Sequence, residues 1–375
     1  MMFYLKSINQ QVGVVSTLLS SIKITFSALI CLVLVSCEKS ESIHAELTAD
    51  IVLNFIQEWN INEVSVVPNP RHFGILNDTS LVIVDQSTRL ITHFSSDSEF
   101  IQKFGGKGRG PGEYAGLDAV AINPNGYIGI ADMANARLTI TNIHTGHLLF
   151  FDFESGWNNQ LFWVKDQLIM TNAPFRSGSR DSVVITMQYF DYAANTTTEI
   201  HSFNIPTNPN PSEFTWCIYC KHTLTDNMSY VVAPPDTTYK VVISEFKSSE
   251  MRILTRSGAP LVELTLEEKE RVRVQRDRLS SMTGAPPMRS EIPQFRNRIN
   301  NLFVDHRDRI WVSIEVSENE PALFDVFSTS GAYMGSVRLP DTSYELVYSK
   351  NDILLFSTGY TDETGWTGRA YRISD

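Results

Sequence analysis

Three groups of residues in this chain have types and spacings that could do chemistry. The first is the run Phe104-Gly105-Gly106-Lys107-Gly108-Arg109-Gly110-Pro111-Gly112-Glu113-Tyr114. Glycine at this density excludes a regular element and frees backbone N–H groups, which beside Lys107 and Arg109 could cradle an anion. A nucleotide-binding loop, however, needs Lys and Ser or Thr after its last glycine and a helix opening there. Here Gly110 is followed by Pro111, and strand-like runs flank the loop on both sides. The loop therefore reads as a turn between two strands, with Arg109 and Glu113 as candidate ligand contacts. Trp216 is a third candidate. The second group is Cys217-Ile218-Tyr219-Cys220. Its spacing allows a local disulfide in an oxidising compartment or two free thiols. The βαβ context of a redox site is absent, and Lys221 stands where haem attachment needs His. The third group is the histidines, which lack metal-ligand spacing; His72 and His306 lie close to expected inner strands and are candidates for a central site. No metal-ligand set is assigned.

Elements must hold these groups in place, and composition bounds what those elements are. The chain has 375 residues, 42% hydrophobic, 19% charged and 11% aromatic, with a net charge of −11. That is the composition of a folded protein with a sizeable core. It has no cluster of Lys and Arg long enough for nucleic acid, which is excluded as a partner.

The N-terminus reads as an address. Lys6 and Lys23 precede an apolar run from Ile24 to Val35, too short to span a bilayer comfortably and suited to a signal-peptide core. It ends in Leu34-Val35-Ser36-Cys37, which resembles the bacterial lipobox. The resemblance implies cleavage before Cys37, lipid on its sulfur, and a membrane-tethered mature chain in the bacterial cell envelope. The expected organisation is a lipoprotein signal peptide over 1–36, a flexible tether over 37–46, and one folded domain over 47–375.

Within that domain a strand–turn–strand pattern recurs. Ile75 to Asp85 is repeated by Ile122 to Asp132, and again by Val304 to Ser313. Looser copies fall at Val164–Met170, Leu224–Val232 and Val347–Phe356. More alternating runs follow each copy, such as Leu90–Phe94 and Phe100–Phe104 after Asp85. Four short strands per unit and six units describe an all-β, six-bladed β-propeller. The last unit stops after three strands, while Ile51–Ile56 has no unit of its own. That N-terminal strand is expected to complete the last blade and close the ring. One helical insertion is expected at about 265–283. Thr265-Leu266-Glu267-Glu268 fits a capping box, and Gly284-Ala285-Pro286-Pro287 ends the helix. Asp85 and Asp132 recur at equivalent positions, which points to turn hydrogen bonding.

The motifs Phe104-Gly105, Gly108 to Tyr114, and Ile128-Gly129-Ile130-Ala131-Asp132 with Arg137-Leu138 resemble the six-bladed propeller lipoproteins of the Bacteroides group, related to NHL-repeat propellers. The resemblance implies a fold and an envelope address, periplasmic or surface-facing at the outer membrane. The functional expectation is a lipid-anchored binding or scaffold module for a protein, peptide or glycan. The alternative is a propeller-type hydrolase or lyase holding Ca²⁺ or Zn²⁺ in the central channel, as such enzymes do with side chains from several blades.

Overall fold

Period-two alternation becomes strand wherever the repeats place it. A computed structural model describes residues 51–61, 67–152, 157–173, 178–179, 182–191, 194, 196–206, 221–233, 237–246, 250–283, 292–317, 320–339, 345–361 and 365–374. The expectations on Cys37, Trp216, Cys217 and Cys220, and on the signal peptide and tether, lie outside these residues.

The first strand, β1 (Val52–Ile61), belongs to the last blade. Blade 1 is β2 (Pro70–Ile75), β3 (Leu81–Asp85), β4 (Leu90–Phe94) and β5 (Phe100–Gly105). Blade 2 follows as β6 (Ala119–Ile122), β7 (Tyr127–Asp132), β8 (Arg137–Asn142) and β9 (Leu148–Asp152). Blade 3 comprises β10 (Trp157–Val164), β11 (Gln167–Ala173), the two-residue β12 (Gly178–Ser179), β13 (Ser182–Asp191) and β14 (Thr196–Pro206). Its short β12 pairs with the start of β13, a departure from the other blades. Blade 4 is β15 (Lys221–Leu224), β16 (Tyr230–Ala233), β17 (Lys240–Ser244) and β18 (Met251–Thr255). Blade 5 is β19 (Ile299–Val304), β20 (Ile310–Ile314), β21 (Leu323–Phe327) and β22 (Tyr333–Arg338). Blade 6 is β23 (Glu345–Lys350), β24 (Ile353–Thr361) and β25 (Gly365–Ser374), completed by β1. Each blade is an antiparallel meander, so the six-bladed propeller read from the sequence is the fold.

The core lies between blades. Each of the six blade interfaces holds one apolar cluster, for example Val82, Val84 and Ile91 of blade 1 against Ile122, Ile128 and Ile130 of blade 2. Small residues bring the sheets together. A Cβ on Gly129 would sit 2.7 Å from the Leu168 side chain of blade 3.

Ring closure is as the unpaired N-terminal strand implied. Along its length β1 pairs antiparallel with β25, from Val52 opposite Ser374 to Ile61 opposite Trp366. Trp59 is buried, and Phe73 of blade 1 stacks on Trp366 with ring centroids 5.1 Å apart. Polar contacts carry β1 onto blade 1 as well: the Asn60 N–H donates to Ser98 Oγ at 3.0 Å, and the Gln57 amide donates to the Ser96 carbonyl. This gives the last blade its fourth strand and covers the edge of β25.

The insertion is α1 (Leu266–Thr283). Its capping box forms reciprocally: the Glu268 N–H donates to Thr265 Oγ1 at 3.2 Å, and the Thr265 N–H to Glu268 Oε2 at 2.8 Å. The helix lacks an apolar face, and Leu266 and Val274 are 86% and 53% exposed. A short stalk, in which Glu263 bridges Phe295, carries it from the propeller. Arg296 joins Glu268 at 3.0 Å to Glu315 of blade 5 at 2.8 Å.

Candidate functional site

The glycine-rich loop joins β5, the outer strand of blade 1, to β6, the inner strand of blade 2. Its glycines serve the turn: Gly105 has φ +92°, and a Cβ there would meet the Arg89 carbonyl at 2.8 Å. Two arginines at equivalent blade positions clasp the loop by its carbonyls. Arg89 donates to the Tyr114 carbonyl at 3.0 Å, and Arg137 to those of Gly110, at 3.0 Å, and Glu113. The Glu113 carboxylate turns back onto its own loop and accepts the Gly110 N–H at 2.9 Å. Asp132 fastens the exit of the loop, accepting the N–H groups of Ala115 and Gly116 at 2.9 Å each. Asp85 likewise accepts the N–H of Asn69, and of Thr88 at 2.7 Å. The recurring aspartates are turn residues that pin each incoming strand. Arg109 and Glu113 are exposed and do not line the central cavity.

Because the first strand of every blade is innermost, β2, β6, β10, β15, β19 and β23 together wall a central cavity of about 270 Å³. Its two ends differ. At one end are the hairpins between the first two strands of each blade, which hydrogen-bond in sequence around the axis. Asn77 reaches Asn125 at 2.6 Å, Asn125 reaches Asp166 at 3.1 Å, the Asp226 N–H reaches Asp308 at 2.7 Å, and the His306 N–H reaches the Asn351 carbonyl at 2.9 Å. Lys350 strides across this end: its Nζ donates to the Trp163 carbonyl of blade 3, on the opposite side of the ring, at 2.5 Å. Burial holds the Lys350 ammonium below its ordinary pKa, while Asp226 acts in the other direction.

The other end is where the inner strands begin. Arg71 and His72 of β2, Lys221 and His222 of β15, and Glu345 of β23 stand at or near the starts of their strands, and of these Arg71, His72 and His222 line the cavity. Arg71 and Lys221 belong to blades 1 and 4, which face each other across the ring, and neither side chain makes a hydrogen bond or ion pair among the described residues. They lie near enough for Arg71 to add to the burial that lowers the Lys221 pKa; Glu345 opposes both effects. His72 is held down to about 4, first by burial and then by Arg71, so at neutral pH its imidazole is uncharged. The His222 ring stacks on Tyr230 at 5.5 Å, and its Nδ1 shares a hydrogen bond with the Tyr230 hydroxyl. A second recess on this side shares Arg71, His72 and Val120 with the cavity and includes Asp118 and Gln160.

The structure thus places His72 and His306 on the wall of one cavity, near opposite ends of the inner strands. Among the described residues, no three His, Cys, Asp or Glu side chains are grouped so as to hold a metal ion. The metal-dependent alternative gains no ligand set from them. Arg71, Lys221, Glu345 and Lys350 escaped the sequence reading because each is an ordinary strand residue. Only the inner position of every unit's first strand marked them.

Comparison with known proteins agrees on architecture. A family model described as a 6-bladed beta-propeller, DUF5128, matches residues 67–160. No curated protein matches the chain in sequence. Among solved structures, the chain is similar to a Bacteroides fragilis protein described as exported, with 14% identity, a TM-score of 0.50, and 90% of this chain and 99% of that one covered. It is also similar to virginiamycin B lyase of Staphylococcus aureus, at 9% identity and a TM-score of 0.44, covering 86% of this chain and 99% of that one. The PQQ-bound aldose sugar dehydrogenase of Streptomyces coelicolor gives 12% identity and a TM-score of 0.46, covering 88% and 100% respectively. At these identities the likeness concerns the fold alone.

Proposed function

We propose that this chain is a lipid-anchored binding module of the bacterial cell envelope, taking a small ligand through one end of its central channel. The observation that carries the reading is the asymmetry of that channel. Lys350 straps the hairpin end, whereas at the opposite end Arg71 lines the cavity and its side chain makes no hydrogen bond or ion pair among the described residues. A cavity of about 270 Å³ suits a small molecule or the tip of a larger one. The envelope address is supported by the signal-like run before Cys37 and by the exported Bacteroides fragilis protein of similar fold.

Two experiments test the two halves. Immobilised mature protein, exposed to an extract of its own cell envelope, should retain a compound identifiable by mass spectrometry. Ser349 lines the cavity, and Ser349→Trp, which fills it, should abolish that retention without changing the circular dichroism. Equal retention by the filled variant would rule out the channel as the site. For anchoring, Cys37→Ala should move the protein from the membrane to the soluble fraction, and continued membrane association would count against lipid attachment.

A further inference from the structure

We infer that the hairpin end of the propeller is a second binding site, in which Asp226 and Lys350 hold the ammonium and the carboxylate of a small polar amino acid. This does not depend on the central cavity being a binding site.

A recess of about 210 Å³ lies at the hairpin end. Its wall takes Asn77, Asn125, Asp166, Asp226 and Lys350 from blades 1, 2, 3, 4 and 6, so it sits on the propeller axis. Lys350, Asp226 and Asn351 line this recess and the central cavity alike, which makes them the partition between the two. Both charged members of the partition have bonding capacity to spare. An ammonium has three donors, and Lys350 places one on the Trp163 carbonyl. The Asp226 backbone N–H is engaged by Asp308, while its carboxylate makes no hydrogen bond or ion pair among the described residues. A cation and an anion therefore face one recess without closing on each other.

Charge decides the class of ligand. The other charged groups on the wall are Lys165 and Asp166, and Asp166 accepts the Asn125 amide at 3.1 Å. Two ammonium groups thus stand against two carboxylates. A simple anion drawn to Lys350 is repelled by Asp226, and for a simple cation the signs reverse. A zwitterion that carries both charges on one carbon meets each with its opposite through charge-assisted hydrogen bonds. The lining restricts the rest of the ligand. Pro124 is the one apolar residue on the wall among the described residues; the others are amides, carboxylates and ammonium groups. Serine suits that surface, whereas leucine would desolvate polar groups without replacing their hydrogen bonds.

The test is isothermal titration of the mature protein at low salt with four probes: L-serine, ethanolamine, which lacks the carboxylate, 3-hydroxypropionate, which lacks the ammonium, and neutral glycerol. Serine should bind with one site per chain, and each of the others about tenfold more weakly or less, as for loss of one charge-assisted hydrogen bond. If any of the three bound as tightly as serine, the zwitterion assignment would be overturned. Asp226→Asn and Lys350→Gln should each weaken serine binding about tenfold, and Lys107→Gln, on the exposed glycine loop, should leave it unchanged. The Asp226 carboxylate holds no other group, so Asp226→Asn should fold even if loss of the strap unfolds Lys350→Gln, and urea denaturation checks both. No binding of serine, or unaltered binding in Asp226→Asn, overturns the inference. Ser349 lines the central cavity and not the recess. Serine binding should therefore persist in Ser349→Trp while retention of an envelope compound is lost, so the two sites fail separately. Loss of serine binding in a folded Ser349→Trp would put the ligand in the central cavity and overturn the second site.

Discussion

At Asp132 one fully buried carboxylate accepts four N–H groups, from the Ala115, Gly116 and Asn135 backbones and the Asn135 side chain. Asp132→Ala would leave those donors without their acceptor, and we expect a loss of about 3 kcal/mol in urea denaturation. Glu113 staples only an exposed loop, so Glu113→Ala should cost about 1 kcal/mol and leave ligand binding at the channel unchanged. His72 makes a pH prediction whose sign follows from its depressed pKa. The unfolded imidazole takes its proton near pH 6.5 and the folded one only near 4, so between these values the unfolded state binds more protons. Stability should therefore fall as pH drops from 6.5 towards 4, with a slope of up to about 1.4 kcal/mol per pH unit from this group. His72→Asn should flatten that part of the stability–pH profile; an unchanged profile would refute the assignment.

At the scale of elements, the closing strand is the most exposed to test. Trp59 is 1% exposed and belongs to the cluster joining blades 6 and 1. Trp59→Ala should cost about 4 kcal/mol and raise hydrogen exchange in β1 and β25 above that of the other blades. Uniform exchange would mean that closure does not depend on this side chain. Elements of this kind were legible in the sequence because each is local: alternation, Asn and Gly turns, and a capping box are read within a dozen residues. The final unit's missing strand and the orphan Ile51–Ile56 could be matched by counting. What stayed illegible was either an irregular element or a meeting of distant elements. Blade 3's β12 is a two-residue bridge with no pattern to announce it. Arg71 and Lys350 line one cavity only because the ring brings the inner strands of blades 1 and 6 around one axis. Glu113 resembled a free surface group until the backbone path of its loop showed which N–H it accepts.

Taken whole, the molecule separates its tasks between the two ends of one axis. The hairpin end links turn to turn and is strapped by Lys350, while the other end, where the inner strands begin, has Arg71 on the cavity wall. The pairing of β1 with β25 also sets a clock. The two strands stand at opposite extremes of the described chain, with Val52 opposite Ser374, so the first strand of the propeller to be synthesised is the last to find its partner. Five blades can form from neighbouring segments while β1 waits, since contacts this remote in sequence are slow to make. Pulse-labelled refolding should show amides of β1 and β25 gaining protection together and after the rest. Until then blade 6 presents an unpaired edge at β25, and that interval is when a second chain could take the place of the first strand.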